Sequence, residues 1–211
     1  MWGVEHAIRG MRNPLDSHAK SDSIFSPTVK IGENDMNLAK RLIAGGPEHR
    51  KFLRQIMVSV DITGPLFWWK EFDTYKVGTT ANSSSSMHTI MRNPITMDNF
   101  EMDDYSHMLS LDKYKCVHGD EAEFVIDDAW EDIITICNKL RDKYLETKDK
   151  RYWKELIRIL PESWLQTRTI TMNYENLYSI VRQRTGHKLT EWAKFIEWVS
   201  SLPYANEFLM P

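Results

Sequence analysis

In the C-terminal half of the chain, apolar side chains recur at three- and four-residue steps. Trp130, Ile133, Ile134, Cys137, Leu140 and Tyr144 fall on one face of a helix that begins near Asp127, where the Asp127-Asp128 pair suits the positive helix end. A second helix runs over about Tyr152 to Leu160 and is closed by Pro161. Gln166 to Met172 alternates threonine with apolar residues, the period of a half-buried strand. Tyr174 to Arg184 reads as a helix ending near Gly186. Leu189, Trp192, Phe195, Ile196 and Val199 stripe a last helix, closed by Pro203.

The N-terminal half alternates helix and strand less regularly. Trp2 to Ile8 reads as a short strand. Arg9 to Pro27 is rich in turn residues and reads as loop, with a binding segment and simple disorder standing level. Asn34 caps a helix running to about Ala44, stopped by Gly45-Gly46. Ile56, Val58, Val60 and Ile62 alternate with polar neighbours and predict a strand over 54–62, ended by Gly64-Pro65. Leu66 to Tyr75 is helical in pattern, and Gly78 to Asn93 reads as loop. Residues 93–123 carry too little periodicity for an assignment. Without internal repeats or a clear linker, the order of elements predicts one α+β domain over residues 1–211.

Composition narrows the function. With 211 residues there is enough chain for a sizeable core. The 27 basic against 30 acidic residues argue against a protein whose main partner is nucleic acid. Two cysteines form no disulfide framework, and no apolar run approaches a membrane span. The start of the chain lacks the layout of a signal peptide, so a cytoplasmic setting is expected. Cys116 and His118 lack the second pair that a metal site needs, and no metal is expected.

The densest chemistry lies between Gly64 and His88. Large aromatics, both charge signs, and the run Asn82-Ser83-Ser84-Ser85-Ser86 share this stretch, with Lys70 and Lys76 beside them. Hydroxyls and an amide in a loop with nearby cations suit an anion such as phosphate. The plainer reading is a solvated loop. Trp68 and Trp69 read as core or subunit interface rather than a stacking platform.

The order of motifs resembles that of the flavin-dependent thymidylate synthases. His49 sits where that family's Gly-His histidine falls, and Pro65-Leu66-Phe67 follows a strand at the expected distance. Glu71 takes the place of a Gln, and Thr74-Tyr75-Lys76 stands where Arg-His-Arg is expected. Thr80-Ala81-Asn82-Ser83-Ser84-Ser85 matches Ser-x-Asn-Glu-x-Ser except at Ser83, and Met87-His88 replaces Arg-Tyr. Farther on, Arg158 precedes Leu160-Pro161, Asn173 and Arg184 keep their spacing, and His187 with Glu191 echoes a His-Ala-Gln-x-Glu-Ile motif.

The resemblance implies a homotetramer that binds FAD and methylates dUMP at C5, with methylene-tetrahydrofolate and NADPH as co-substrates. It implies Ser85 as the catalytic serine, and Glu71, Ser84, Ser86, Arg158 and Arg184 as substrate-binding residues. His49, Lys76, Asn82 and Asn173 would contact the cofactor. Structural readings stand beside these: Asn173 as a helix N-cap, Arg184 as a surface salt bridge, Lys76 as a solvated lysine. The losses at Thr74, Tyr75, Ser83 and Met87 leave two alternatives. One is a related pyrimidine-nucleotide methylase or hydroxymethylase with an altered substrate, the other a non-catalytic nucleotide-binding homo-oligomer. Arg54 and Glu175 are swapped in sign relative to the family, and a reversed ion pair between them is expected.

Overall fold

The computed structural model describes residues 1–102, 110–115 and 121–210, with backbone alone for 110–115 and 121–125. In chain order the elements are α1 Val4–Gly10, α2 Glu33–Ala44, β1 Met57–Pro65, α3 Leu66–Phe72, β2 Thr80–Ser83, α4 Ser86–Thr89, β3 Ser110–Lys115 and β4 Glu121–Val125. There follow α5 Ile126–Thr147, α6 Lys150–Ile159, β5 Leu165–Asn173, α7 Tyr174–Arg184, α8 Thr190–Ser200 and α9 Ala205–Phe208. The fold class is α+β, as the alternation of periods predicts.

Strands β1, β5 and β2 form a sheet in that order, with β5 central. Hydroxyl contacts on its exposed face set the register. Ser59 meets Thr171 at 2.6 Å, Thr169 donates to Asp61 at 2.6 Å, and Thr63 meets Thr167 at 2.7 Å. Numbers rise on β1 as they fall on β5, so this pair is antiparallel. Strands β3 and β4 pair antiparallel in a separate sheet, with a register shift between Leu111 and Tyr114.

The chain divides into two compact units, residues 1–62, 71–82 and 168–211, and residues 63–70 and 83–167. In the first, Ile8, Leu53, Ile56, Ile170, Met172, Leu177, Trp192 and Phe208 are sealed from solvent. Tyr174 lies among them and donates its hydroxyl to the Pro203 carbonyl at 2.6 Å; burial pushes its phenol pKa upward. In the second, Ile90, Ile95, Phe100, Cys137, Leu156 and Trp164 form the core, flanked by Trp130, Ile133, Ile134 and Leu140 of α5. The predicted face of α5 is therefore the buried one. Asn138 completes that core by bonding both the N–H and the carbonyl of Ile95 at 2.8 Å. Trp68 and Trp69 are buried in this unit, and Trp69 donates its indole N–H to the Gln166 carbonyl at 2.9 Å.

Four expectations change. Asn34 does not cap α2 but lies inside it; Gly32 is the N-cap, and the Asp22 carboxylate accepts the Asn34 N–H at 2.8 Å. Trp2 to Ile8 is mostly helix, because Val4, Ala7 and Ile8 are buried at the helical steps of three and four. Gly3 starts it at φ 87; a Cβ there would lie 2.1 Å from the Gln55 carbonyl oxygen. Only Trp2 pairs as in a strand, by a bridge to Met57. Gly78 to Asn93 is not all loop, since it contains β2 and α4. The strand expected over 54–62 starts later, at Met57, and runs through Gly64-Pro65, because Arg50–Gln55 winds into a 3-10 helix.

The segment between α1 and α2 is anchored. Asp35 is fully buried and accepts from Arg12 Nε at 2.5 Å, from the hydroxyls of Ser21 and Ser23, and from the Asp22 and Ser23 backbone. Arg12 in turn donates to the carbonyls of Ser17 and Lys20. This network folds the polar loop onto α2. Among the described residues no helix is long and apolar enough to cross a membrane.

Candidate functional site

Within the first unit, the ends of α3 and α7 bring charged and aromatic side chains together. The turn Asp73–Tyr75 continues α3, so Glu71 and Tyr75 lie one helical turn apart on one face. Arg184 is the last residue of α7. After it Gly186, at φ 76, reverses the chain and returns His187 and Trp192 toward the same spot.

Arg184 organises the cluster. Its Nη1 donates to Glu71 Oε2 at 2.7 Å and its Nε to the Tyr75 hydroxyl at 2.9 Å. The Tyr75 hydroxyl donates to Gln183 Oε1 at 3.1 Å. The guanidinium also lies 4.7 Å from the Trp192 ring centroid, within cation–π range. Trp192 stacks on Phe72 with the ring planes 10° apart. A buried aromatic wall thus backs the arginine.

The Glu71 carboxylate is used unevenly. Oε2 accepts from Arg184 and from Trp192 Nε1 at 2.8 Å, and His187 Nε2 lies 3.6 Å away. Oε1 accepts from none of the described residues. The His187 Nδ1 accepts the Leu189 N–H at 3.2 Å, which puts the proton of the neutral ring on Nε2, facing the carboxylate. The Glu71 side chain is 34% exposed and that of Arg184 17%, so the corner is partly open to solvent. A charge-assisted hydrogen bond contributes about 1.5–3 kcal/mol. Partial exposure reduces this pair to about 1 kcal/mol.

The other expected residues make contacts of their own. Asn173 is the N-cap of α7: its side chain accepts from the Asn176 N–H at 3.0 Å, while Asn176 Oδ1 accepts from the Asn173 N–H. Lys76 and Asn82 are exposed on the turn and strand that follow α3. His49 is exposed at the start of the Arg50–Gln55 turn, its ring beside Gly45. In the second unit, Ser84 pairs through its backbone with Thr167 and Gln166. Ser85 and Ser86 are half-buried at the start of α4, and the Ser85 carbonyl accepts from His88 and Thr89. Arg158 is exposed on α6 and bonds Glu155 at 2.8 Å. It lines an open depression of about 550 Å³ with Lys150, Arg151, Trp153, Lys154 and Glu155. Cys116 and His118 lie outside the described residues.

The expected pairing of Arg54 with Glu175 does not form. Arg50 Nε takes both oxygens of Glu175 at 3.0 Å, and Arg50 also lies over the Tyr178 ring at 4.1 Å. Arg54 reaches the Pro47 carbonyl instead, at 3.5 Å. The 3-10 winding of Arg50–Gln55 presents Arg50, not Arg54, to the first turn of α7, where Glu175 suits the helix dipole.

No family model matches the chain, and no curated protein matches it. Solved structures do. The flavin-dependent thymidylate synthase ThyX of Helicobacter pylori, solved with FAD and dUMP, superposes with a TM-score of 0.65 at 15% identity, over 99% of this chain and 94% of that one. A second structure of the same enzyme with FAD and dUMP gives 0.67 at 16% identity, over 98% and 92%. The chain has a ThyX-like fold. The likeness runs over nearly the whole length of this chain and of those structures. Within the ThyX-like chain, Tyr75, His187 and Trp192 join Glu71 and Arg184 in one cluster although no site role is expected of them. Tyr75 stands where the family motif has a charged residue, and Trp192 belongs to a stripe that reads as core. The signal available was the short spacing from Arg184 to His187 and Trp192 around Gly186.

Proposed function

We propose that the chain is a flavin-dependent enzyme of nucleotide metabolism that transfers a one-carbon unit to C5 of a pyrimidine deoxynucleotide. The reference reaction is the reductive methylation of dUMP with methylene-tetrahydrofolate and NADPH. One observation carries this reading: the arginine matched to the pyrimidine reader, Arg184, is held in place by Glu71, Tyr75 and Trp192 in a partly open corner.

Arg184 presents fixed donors to a base carbonyl. A guanidinium there stabilises the negative charge that builds on the carbonyl as C5 acts as a carbon nucleophile. Trp192 and Phe72 exclude water from behind it. The phosphate contacts are assigned by resemblance to Ser84, Ser85 and Ser86, with Ser85 as the signature serine, and to Arg158. The cationic depression around Arg158 supports the last of these.

For FAD, the donor chemistry fits. The exposed ammonium of Lys76 and amide of Asn82 suit a pyrophosphate, and His49 is also exposed. Asn173 Oδ1 caps α7, and its Nδ2 lies beside Gly78. When bound, the flavin supplies the reducing equivalents, and the protein supplies orientation and charge. A homotetramer, as the resemblance implies, is part of the proposal.

A second reading, a pyrimidine-nucleotide methylase or hydroxymethylase with an altered substrate, is favoured by Glu71. A carboxylate on Arg184 changes what the corner offers a base. The experiment for the common ground is reconstitution: the chain is incubated with FAD, desalted, and titrated with dUMP and dCMP. Retained flavin absorbance and saturable nucleotide binding are the expected result. A colourless protein that binds neither nucleotide overturns the proposal.

A further inference from the structure

We propose that the Glu71–Arg184 pair reads a cytosine-type base edge, so that the site takes a cytosine nucleotide in preference to a uracil one. This rests on the pyrimidine-nucleotide reading given above and makes it specific.

The argument is an inventory of what remains unbonded. Arg184 commits Nε to Tyr75 and one Nη1 hydrogen to Glu71. Its second Nη1 hydrogen and both Nη2 hydrogens meet no acceptor among the described residues. A guanidinium has donors only. Glu71 commits Oε2 to Arg184 and Trp192, and Oε1 is left without a donor among the described residues. As a carboxylate oxygen, Oε1 is an acceptor only. The corner therefore displays two adjacent donors next to one acceptor, on a partly exposed surface.

The two bases answer this display differently. Along its pairing edge cytosine reads acceptor, acceptor, donor: O2, N3 and the 4-amino group. A guanidinium fork spans O2 and N3, and the amino group then meets Glu71. Uracil reads acceptor, donor, acceptor. Any two neighbouring positions include N3–H, which opposes the arginine donors, and the remaining carbonyl oxygen faces the carboxylate. A Gln at this position would rotate its amide to suit either base. A carboxylate has no N–H to turn toward O4. Sites built from hydrogen-bonding groups reject a mispaired analogue strongly, because their own polar groups are left unpaired. The partial exposure of Glu71 softens that penalty.

The test measures Kd for dCMP and dUMP on the full chain by calorimetry, with and without FAD. The expected result is dCMP tighter by about tenfold or more. In Glu71→Gln the two nucleotides are expected within about threefold of each other. Binding of dUMP by the wild-type chain as tightly as dCMP overturns the cytosine assignment and leaves the nucleotide reading standing. Failure of both nucleotides to bind overturns the nucleotide reading itself. The wild-type comparison decides whether or not the variant folds. A melting curve of Glu71→Gln matching wild type, together with an undiminished dCMP preference, also overturns the proposal.

Discussion

Arg184 and Glu71 are joined at 2.7 Å through one carboxylate oxygen, and the bond ties the last turn of α7 to the end of α3. The same oxygen accepts the indole N–H of Trp192, which is fully buried. Glu71→Ala therefore removes the carboxylate to which Arg184 and Trp192 both donate. A loss of about 1 kcal/mol in urea unfolding is expected, small because Glu71 is partly exposed. An unchanged unfolding midpoint would contradict a stabilising role for the pair.

Arg12 and Asp35 form the opposite case, a pair closed off from solvent at 4% and 0% exposure. Removing one partner of such a pair costs about 3–5 kcal/mol, because the other is left charged and buried. Asp35→Ala is expected to destabilise by about 3 kcal/mol and to open the loop to trypsin near Arg12 and Lys20. Unaltered resistance to trypsin would contradict the anchoring role.

The same aspartate gives a pH dependence. Burial pushes its pKa up, but hydrogen bonds from Ser23, Ser21 and Arg12, with the Arg12 charge, outweigh burial and hold it below the ordinary value. A carboxylate with a depressed folded pKa adds stability above its unfolded pKa, about 3.9. That contribution disappears as pH falls through the folded value. Stability measured from pH 5 downward is expected to fall more steeply in wild type than in Asp35→Ala.

Helices with strong stripes were readable in advance, and α5, α6, α7 and α8 lie close to where the spacing puts them. The α1 segment misled because Trp2, Val4 and Ile8 sit at even steps, while the helical contact rests on Ala7, a weak hydrophobic signal. Strand β2 has no alternation to mark it, because all four of its residues are exposed and three of them, Thr80, Asn82 and Ser83, are polar. Arg184 is singled out in the sequence by its distance to Asn173, and the structure sets it beside Glu71. Its attachment to Glu71 spans 113 residues and has no local signature. The reversed pair at Glu175 failed for a similar reason: a 3-10 turn changed which arginine reaches it.

Gly78 adopts φ 77, and a Cβ there would come within 3.0 Å of Asn173 Nδ2 and 3.2 Å of Asn176 Oδ1. Gly78→Ala is expected to cost about 1–3 kcal/mol, from left-handed backbone strain and disturbance of the α7 cap. Asn173→Ala, which removes the cap alone, is expected to cost about 1 kcal/mol. Thermal unfolding of both variants checks the order; a larger loss in Asn173→Ala would contradict it.

Cys137 lies in the core of the second unit, and burial pushes its thiol pKa up to about 11. In a Cys116→Ser background, iodoacetamide at pH 8 is expected to leave the folded chain almost unmodified and to label it once urea is added. Stability from this thiol is fully present below the unfolded pKa of about 8.5 and declines as pH rises toward about 11. Rapid labelling without denaturant would contradict the burial.

The central claim is that Arg184 reads a pyrimidine nucleotide, and calorimetric titration of Arg184→Lys beside wild type tests it most directly. Lysine keeps the charge but not the planar fork. The account predicts saturable binding of a pyrimidine deoxynucleotide to wild type, weakened about tenfold or more in the variant, with the melting temperature little changed. Equal binding by both proteins, or none by either, would contradict it.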